Sequence, residues 1–314
     1  MWLSLYALAA YSQQTDSLVR KLDSLSKRSD SAGGQVNDIH PAAYTEKTSL
    51  DLKTYFVLLG SDFKQQFTAP FHMTKKDWKK AGVFTLAMGG LAFADEPVQR
   101  LGLRIRNSSQ SVRDVSHFIT NFGANYEVYT LLGLGTYGLA FKDEKVKTTT
   151  LLASQAYVTS LVMESCLKLL SGRQRPSYYD AHAIEAEPLF HGPFYKGSDV
   201  NGTRINSAFP SGHTTVAFSA ATVYAMEYRN RPLVPIVAYS AATLIGLSRI
   251  TENKHWITDV VAGAFLGMVT GHQVVNNYHR FSKLQASKQK KGAVALNISY
   301  NYGQLQPGIV YTFR

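Results

Sequence analysis

Six stretches of the chain are dense in apolar residues: about 81–94, 128–141, 148–170, 213–228, 232–248 and 259–275. Each is bounded by charge, proline or glycine, and each is long enough for a helix rather than a strand. Ahead of them, residues 13–50 are polar, rich in Ser, Asp, Lys and Gln, with a Gly33-Gly34 pair. This composition predicts a flexible leader. Residues 51–80 carry the apolar patch YFVLLG and then the basic stretch TKKDWKK. From Gly292 the pattern changes: ALNISYNY and GIVYTFR alternate, or nearly so, around GQLQPG. That predicts a β-hairpin. The expected fold is all-α, with a six-helix bundle core, a short C-terminal β-hairpin and a flexible N-terminal leader.

The first twelve residues, MWLSLYALAAYS, form a short apolar run that ends in small and polar residues. It reads as a signal peptide or, if uncleaved, an anchor, although a positive n-region is missing. The expected organisation is therefore residues 1–12 as signal or anchor, 13–80 as polar leader and amphipathic region, 81–275 as the helical domain, and 276–314 as basic linker and hairpin tail. The segment 171–212 is long for a loop in a compact domain, which marks it for function. Its Tyr178, Tyr179, Phe190, Phe194 and Tyr195 either shape a ligand mouth or pack the loop down.

Charge narrows the partners. The 314 residues carry a net charge of +11 with a pI near 9.5. Such a surface suits nucleic acid, an anionic membrane or anionic ligands. No nucleic-acid motif accompanies the basic residues, so a phosphate-bearing lipid is the more natural partner. The single cysteine, Cys166, excludes an internal disulfide. No Cys/His cluster has zinc-ligand spacing. Oligomeric state is left open.

Three short motifs carry the chemistry. They read Lys168-x6-Arg175-Pro176, then Pro210-Ser211-Gly212-His213, then Ser248-Arg249-x5-His255-x3-Asp259. A transferring phosphoryl group spreads negative charge over its equatorial oxygens, so its catalysis is mostly positioning and positive potential. Arg175 and Arg249 supply planar forks that bind two oxygens at once, and Lys168 adds a point charge. The Gly212 N–H and the Ser211 hydroxyl can donate to the same oxygens. Residues four apart on a helix share a face, which brings Asp259 to His255 as an acceptor for its Nδ1–H. Nε2 is then left free as nucleophile, and His213 is free to be the general acid. Taken singly, each motif has an ordinary reading: a cation at a helix end, a helix stop, a turn, an i,i+4 pair. His182, His191, His272 and His279 have no such company and read as surface or satisfied polar residues.

In order and together, the three motifs resemble the type 2 phosphatidic acid phosphatase family, which shares its site with the vanadium haloperoxidases. The resemblance covers roughly residues 80–275, and every defined position of the family pattern is present. It implies His255 as the phosphohistidine-forming nucleophile, Asp259 as its partner and His213 as the proton donor. Lys168, Arg175, Ser211, Gly212 and Arg249 form the implied phosphate cradle, with no metal and no other cofactor. The expected substrate is a lipid phosphate or diphosphate of the phosphatidate, polyprenyl or lipid A type. Alternatives are a soluble periplasmic acid phosphatase acting on small esters, a vanadate-dependent haloperoxidase and a non-catalytic relict.

Membrane signals conflict. Lys and Arg cluster before the first apolar stretch, at 142–147, at 229–231 and at 280–291. By the positive-inside rule these loops are cytoplasmic and the motif loops face out. A cleaved signal peptide with an odd number of spans gives the opposite orientation. Arg100, Arg104, Arg106 and Arg113 also sit in a loop expected outside. Most apolar stretches fall short of the ~20 residues a span needs, and the mean hydropathy of −0.13 is low for six spans. The expected location is a bacterial cell envelope, with the protein embedded in or associated with a membrane and its site toward the periplasm or exterior.

Overall fold

The computed structural model describes residues 50–123, 125–193, 195, 197, 207–289, 293–301 and 304–312. The run 1–12 and nearly all of the leader lie outside these. The described helices are α1 (Leu52–Thr68), α2 (Lys75–Ala92), α3 (Asp95–Arg106), α4 (Gln110–Asn121), α5 (Asn125–Ala140), α6 (Glu144–Ser171), α7 (Pro176–Ala181), α8 (Gly212–Glu227), α9 (Leu233–Thr251) and α10 (Ile257–Gln289). A 3-10 turn, Ala69–His72, follows α1. Each of the six apolar stretches falls on a helix: α2, α5, α6, α8, α9 and α10. The four others among the described residues lie where the sequence was read as leader or loop.

The described residues from 50 to 276 form one compact unit, and those from 277 to 312 fall in a second. In the second, β1 (Ala293–Asn301) and β2 (Gln304–Thr312) pair antiparallel, with Ala293 opposite Thr312.

Local chemistry explains where the helices start and stop. Thr74 and Asp77 form a reciprocal capping box at the head of α2, which satisfies two otherwise orphaned backbone donors. The Asp143 carboxylate accepts from the Lys145 and Val146 N–H groups at the head of α6. That helix ends at Gly172, whose φ of 56° lies in the left-handed region. Pro176 then opens α7 at a position where no N–H is needed.

Polarity is arranged inside out. The buried faces of α6 and α8 carry Thr148, Thr149, Thr150, Thr159 and Ser160, and Thr214, Thr215, Ser219 and Thr222. The short helices α3 and α4 bury Asp95, Gln99, Ser116 and Thr120 and turn Leu101, Ile105, Val115 and Phe118 outward. Elsewhere Leu86 is 78% exposed, Phe93 87% and Leu132 64%. A body folded in water places its large aliphatic side chains the other way. By length and composition, one described helix, Leu233–Thr251, is long and apolar enough to cross a membrane.

Small residues replace bulk at the central contact. Gly263, Gly267 and Gly271 recur every fourth residue and so form one stripe on α10. A Cβ on Gly263 would meet the Ser211 carbonyl at 2.7 Å, and one on Gly271 the Ser219 carbonyl at 2.6 Å. At Gly267 it would collide with the Thr215 carbonyl. The two helices therefore pack backbone to backbone, the geometry that a small-x3-small pattern permits.

Candidate active site

Three helix ends meet at one end of this body. Lys168 lies in the last turn of α6, Ser211 caps α8 ahead of Gly212 and His213, and Arg249 lies in the last turn of α9. The turn after α9 holds His255, and Asp259 stands in the first turn of α10. A left-handed Asn253, φ 54°, lets that turn double back. The backbone ties two motifs together directly: the Ser211 N–H donates to the Asp259 carbonyl at 3.0 Å. Thr214 donates to Ser211 Oγ at 2.8 Å, so the Ser211 hydroxyl proton remains available to an anion. A Cβ on Gly212 would stand 3.0 Å from both Lys168 Nζ and Glu164 Oε1, so any larger residue would have to push this pair aside.

The cations converge on the histidines. Lys168, Arg175 and Arg249 all lie within electrostatic reach of both His213 and His255. Each is fixed by a neighbour. Lys168 Nζ is 2.6 Å from Glu164 Oε2, one turn back on α6. The Arg175 Nε–H donates to Ser207 Oγ at 3.1 Å, and Arg249 Nη1 donates to Thr120 Oγ1 at 3.1 Å.

The structure changes the expected His255–Asp259 contact. His255 Nδ1 lies 2.8 Å from the Ala208 carbonyl, whereas its distance to Asp259 Oδ2 is 3.6 Å. The carbonyl can only accept, so Nδ1 carries the proton and Nε2 keeps its lone pair. Tautomer control thus falls first to the backbone. Burial pushes the His255 pKa well below its usual 6.5, and the three cations push it the same way, while the Ala208 bond opposes them. The ring is held neutral. Burial also lowers the Arg175 pKa, with Asp259 and Glu164 opposing.

Asp259 has other partners. Its Oδ2 accepts from the Trp256 N–H at 2.8 Å, and its Oδ1 accepts from Arg173 Nη1 at 2.6 Å. The other arm of Arg173 donates to Asp95 Oδ2 at 2.5 Å. Asp95 Oδ1 in turn accepts the Thr258 N–H at 3.0 Å, capping α10 from a helix far away in sequence. Arg173, Asp95 and Asp259 are all at most 1% exposed. None but Asp259 was singled out from the sequence. Arg173 sits two residues before the motif arginine with nothing to mark it, and Asp95 lies more than seventy residues upstream.

The loop aromatics divide. Tyr179 is buried with Ala208 and Trp256 and donates to Gln174 Oε1 at 2.5 Å, so it packs the loop. Phe190 is half exposed and lies over the Arg173 guanidinium at 4.5 Å. Phe194 lies outside the described residues. Among the histidines set aside, His182 Nδ1 meets the Tyr178 carbonyl, and His191 stacks on Tyr195. Among the described residues, no three His, Cys, Asp or Glu side chains gather as a metal site.

Residues 148–283 match the PAP2 superfamily. The chain is 44% identical over 72 residues to a lipid A 1-phosphatase of Porphyromonas gingivalis, covering 23% of this chain and 16% of that protein. It is 26% identical over 187 residues to phosphatidylglycerophosphatase B of Bacillus subtilis, covering 56% of this chain and 79% of that protein. The chain spans under half the length of the first three curated relatives it matches. Among solved structures, it is similar to Aquifex aeolicus LpxE at 25% identity and a TM-score of 0.38, covering 56% of this chain and 93% of that one. A transmembrane PAP2 type phosphatidylglycerolphosphate phosphatase from Bacillus subtilis matches at 17% identity and a TM-score of 0.40, covering 80% and 96%.

Proposed function

We propose, from the match of residues 148–283 to the PAP2 superfamily, that this chain hydrolyses a lipid phosphate or diphosphate without a metal, through a phosphohistidine. The observation that carries the reading is a neutral His255 whose Nδ1–H is held by the Ala208 carbonyl, with Lys168, Arg175 and Arg249 gathered around it. Nε2 attacks phosphorus, and the bond from phosphorus to the lipid oxygen breaks. His213 passes its proton to that oxygen. Water then attacks the phosphohistidine, His213 takes the water's proton, and phosphate leaves. The bound anion brings the negative charge that lets His213 keep a proton among three cations. Those cations, with the Gly212 N–H and Ser211 hydroxyl, stabilise the five-coordinate phosphorus.

The inside-out polarity supports a membrane location. Threonine, serine and glycine at helix contacts, with leucine and phenylalanine outside, is the pattern of helices packed in lipid. The basic loops support an orientation with the site on the outer side of a bacterial cytoplasmic membrane. The test is phosphate release by the purified protein in micelles, across phosphatidate, a polyprenyl diphosphate, a lipid A phosphate and a short soluble ester. Wild type should turn over a lipid phosphate and form an acid-labile phosphoenzyme. His255→Ala should lose both; retention of turnover in that variant would sink the assignment.

A further inference from the structure

Glu164 is a carboxylate inside a site assembled for an anion. It lies on α6 one turn before Lys168 and is 4% exposed, and its Oε2 stands 2.6 Å from Lys168 Nζ. The same carboxylate reaches across to α8. A Cβ added to Gly212 would stand 3.0 Å from Glu164 Oε1, as close as it would stand to Lys168 Nζ. Glu164 therefore flanks the Gly212 backbone on the side where the cradle gathers. Arg175 and, two turns back on α6, Tyr157 also lie within its electrostatic reach.

Holding Lys168 does not explain a charged group at this place. The other two cations are held by neutral hydroxyls: Arg175 donates to Ser207 and Arg249 to Thr120. A hydroxyl leaves the full positive charge of its partner available to an anion. A carboxylate cancels one charge of three and pushes any fully ionised oxygen away. What it does that a hydroxyl cannot is accept without having a proton to give. It also has capacity to spare. An ionised carboxylate offers about four lone-pair directions, and although Lys168 stands beside Oε2, no directed hydrogen bond reaches that oxygen among the described residues.

We infer that Glu164 accepts the proton of a phosphate group that still carries one, and so makes the cradle select P–OH anions over fully ionised ones. The inference rests on the phosphatase reading and deepens it, because it assigns the protonation state in which the phosphate is taken up. With a proton between them, the phosphate oxygen and the carboxylate share a short charge-assisted bond. Without one, two anionic oxygens meet in a place shut off from water, where their repulsion is poorly screened.

Inorganic phosphate and sulfate test this directly. Both are tetrahedral and of similar size, but at neutral pH phosphate keeps at least one proton and sulfate has none. Radiolabelled phosphate is bound to the purified protein in detergent at fixed ionic strength and displaced by sulfate. Wild type should prefer phosphate by roughly ten- to hundredfold, as a hydrogen bond to a charged group provides. Glu164→Gln keeps the shape and places an N–H donor beside the anion, so its ratio should fall to near one, mainly through tighter sulfate binding. A folded Glu164→Gln protein in which both anions change by the same factor would show a carboxylate that only holds Lys168, and would overturn the inference. Wild type that binds sulfate as well as phosphate overturns it with no variant at all, so the test stands even if Glu164→Gln does not fold. Binding of neither anion is a different result: it brings down the phosphatase reading itself, and this inference with it.

Discussion

Replacing Arg173 with methionine tests the network behind the nucleophile. In the folded protein its guanidinium spans Asp95 and Asp259 at 2.5 and 2.6 Å, with all three side chains cut off from solvent. Methionine fills much of the volume but leaves two buried carboxylates without their cation. Breaking a buried pair from one side costs roughly 3–5 kcal/mol, because the remaining charge is uncompensated. For a chain of this size each kcal/mol moves the melting temperature by roughly 2–4 °C, giving an expected drop of roughly 6–20 °C. The assay is thermal unfolding in detergent followed by intrinsic fluorescence, beside turnover on a soluble ester. Trp256 lies over the same guanidinium at 5.6 Å and should report the change locally. Adding Asp95→Asn should recover part of the loss: asparagine removes one orphaned charge yet still accepts from the Thr258 N–H. A melting temperature within 2 °C of wild type for Arg173→Met, or no recovery in the double variant, would refute the reasoning.

Hydrolysis should survive EDTA and should be inhibited by vanadate, since the cradle holds three cations and suits five-coordinate phosphorus; activity lost to chelator and restored by a divalent ion contradicts this. His255 has a folded-state pKa well below 6.5, so below that pH the unfolded chain binds a proton that the folded one refuses. Stability should therefore fall as pH drops through 6.5, by up to about 1.4 kcal/mol per pH unit. Melting curves from pH 7.5 to 5.5 should show a shallower slope for His255→Asn. Gly267→Leu should separate α8 from α10 and abolish turnover together with a large loss of thermal stability, whereas Gly60→Ala, where a Cβ meets nothing within 4 Å, should be silent in both measurements. In a Cys166→Ala background, a cysteine at exposed Glu185 should react with an impermeant thiol reagent once any outer membrane is opened; labelling only after lysis of the cytoplasmic membrane reverses the proposed orientation.

The motif residues were legible because their chemistry lives in side chains at fixed spacing. Lys168, Arg175, Ser211, Gly212, His213, Arg249, His255 and Asp259 all come to one end of the helical body. The acceptor for His255 was not legible, because it is a backbone carbonyl: nothing about the identity of Ala208 announces that role. Asp95 and Thr120 were missed for a different reason. They serve the site from helices α3 and α4, whose inward faces are polar, so a search for apolar stripes read that region as a loop. The same inversion made Arg100 and Arg104 look misplaced in a loop, whereas they lie on α3. Gly263, Gly267 and Gly271 stood in plain view at intervals of four, but a glycine stripe is informative only once helices are taken to pack on their backbones.

The cap that Asp95 places on α10 bears on autonomy. The stretch 148–283 that carries the superfamily match contains every motif residue, yet not the carboxylate that caps α10 at Thr258 and balances Arg173, nor the Thr120 hydroxyl that holds Arg249. Excised, or grafted behind another protein's first helices, it would present a buried arginine with one counterion and a helix start with an orphaned N–H. The first helices of this chain are therefore part of what holds the candidate site in place, and exchanging them between relatives should succeed only when an acid equivalent to Asp95 travels with them.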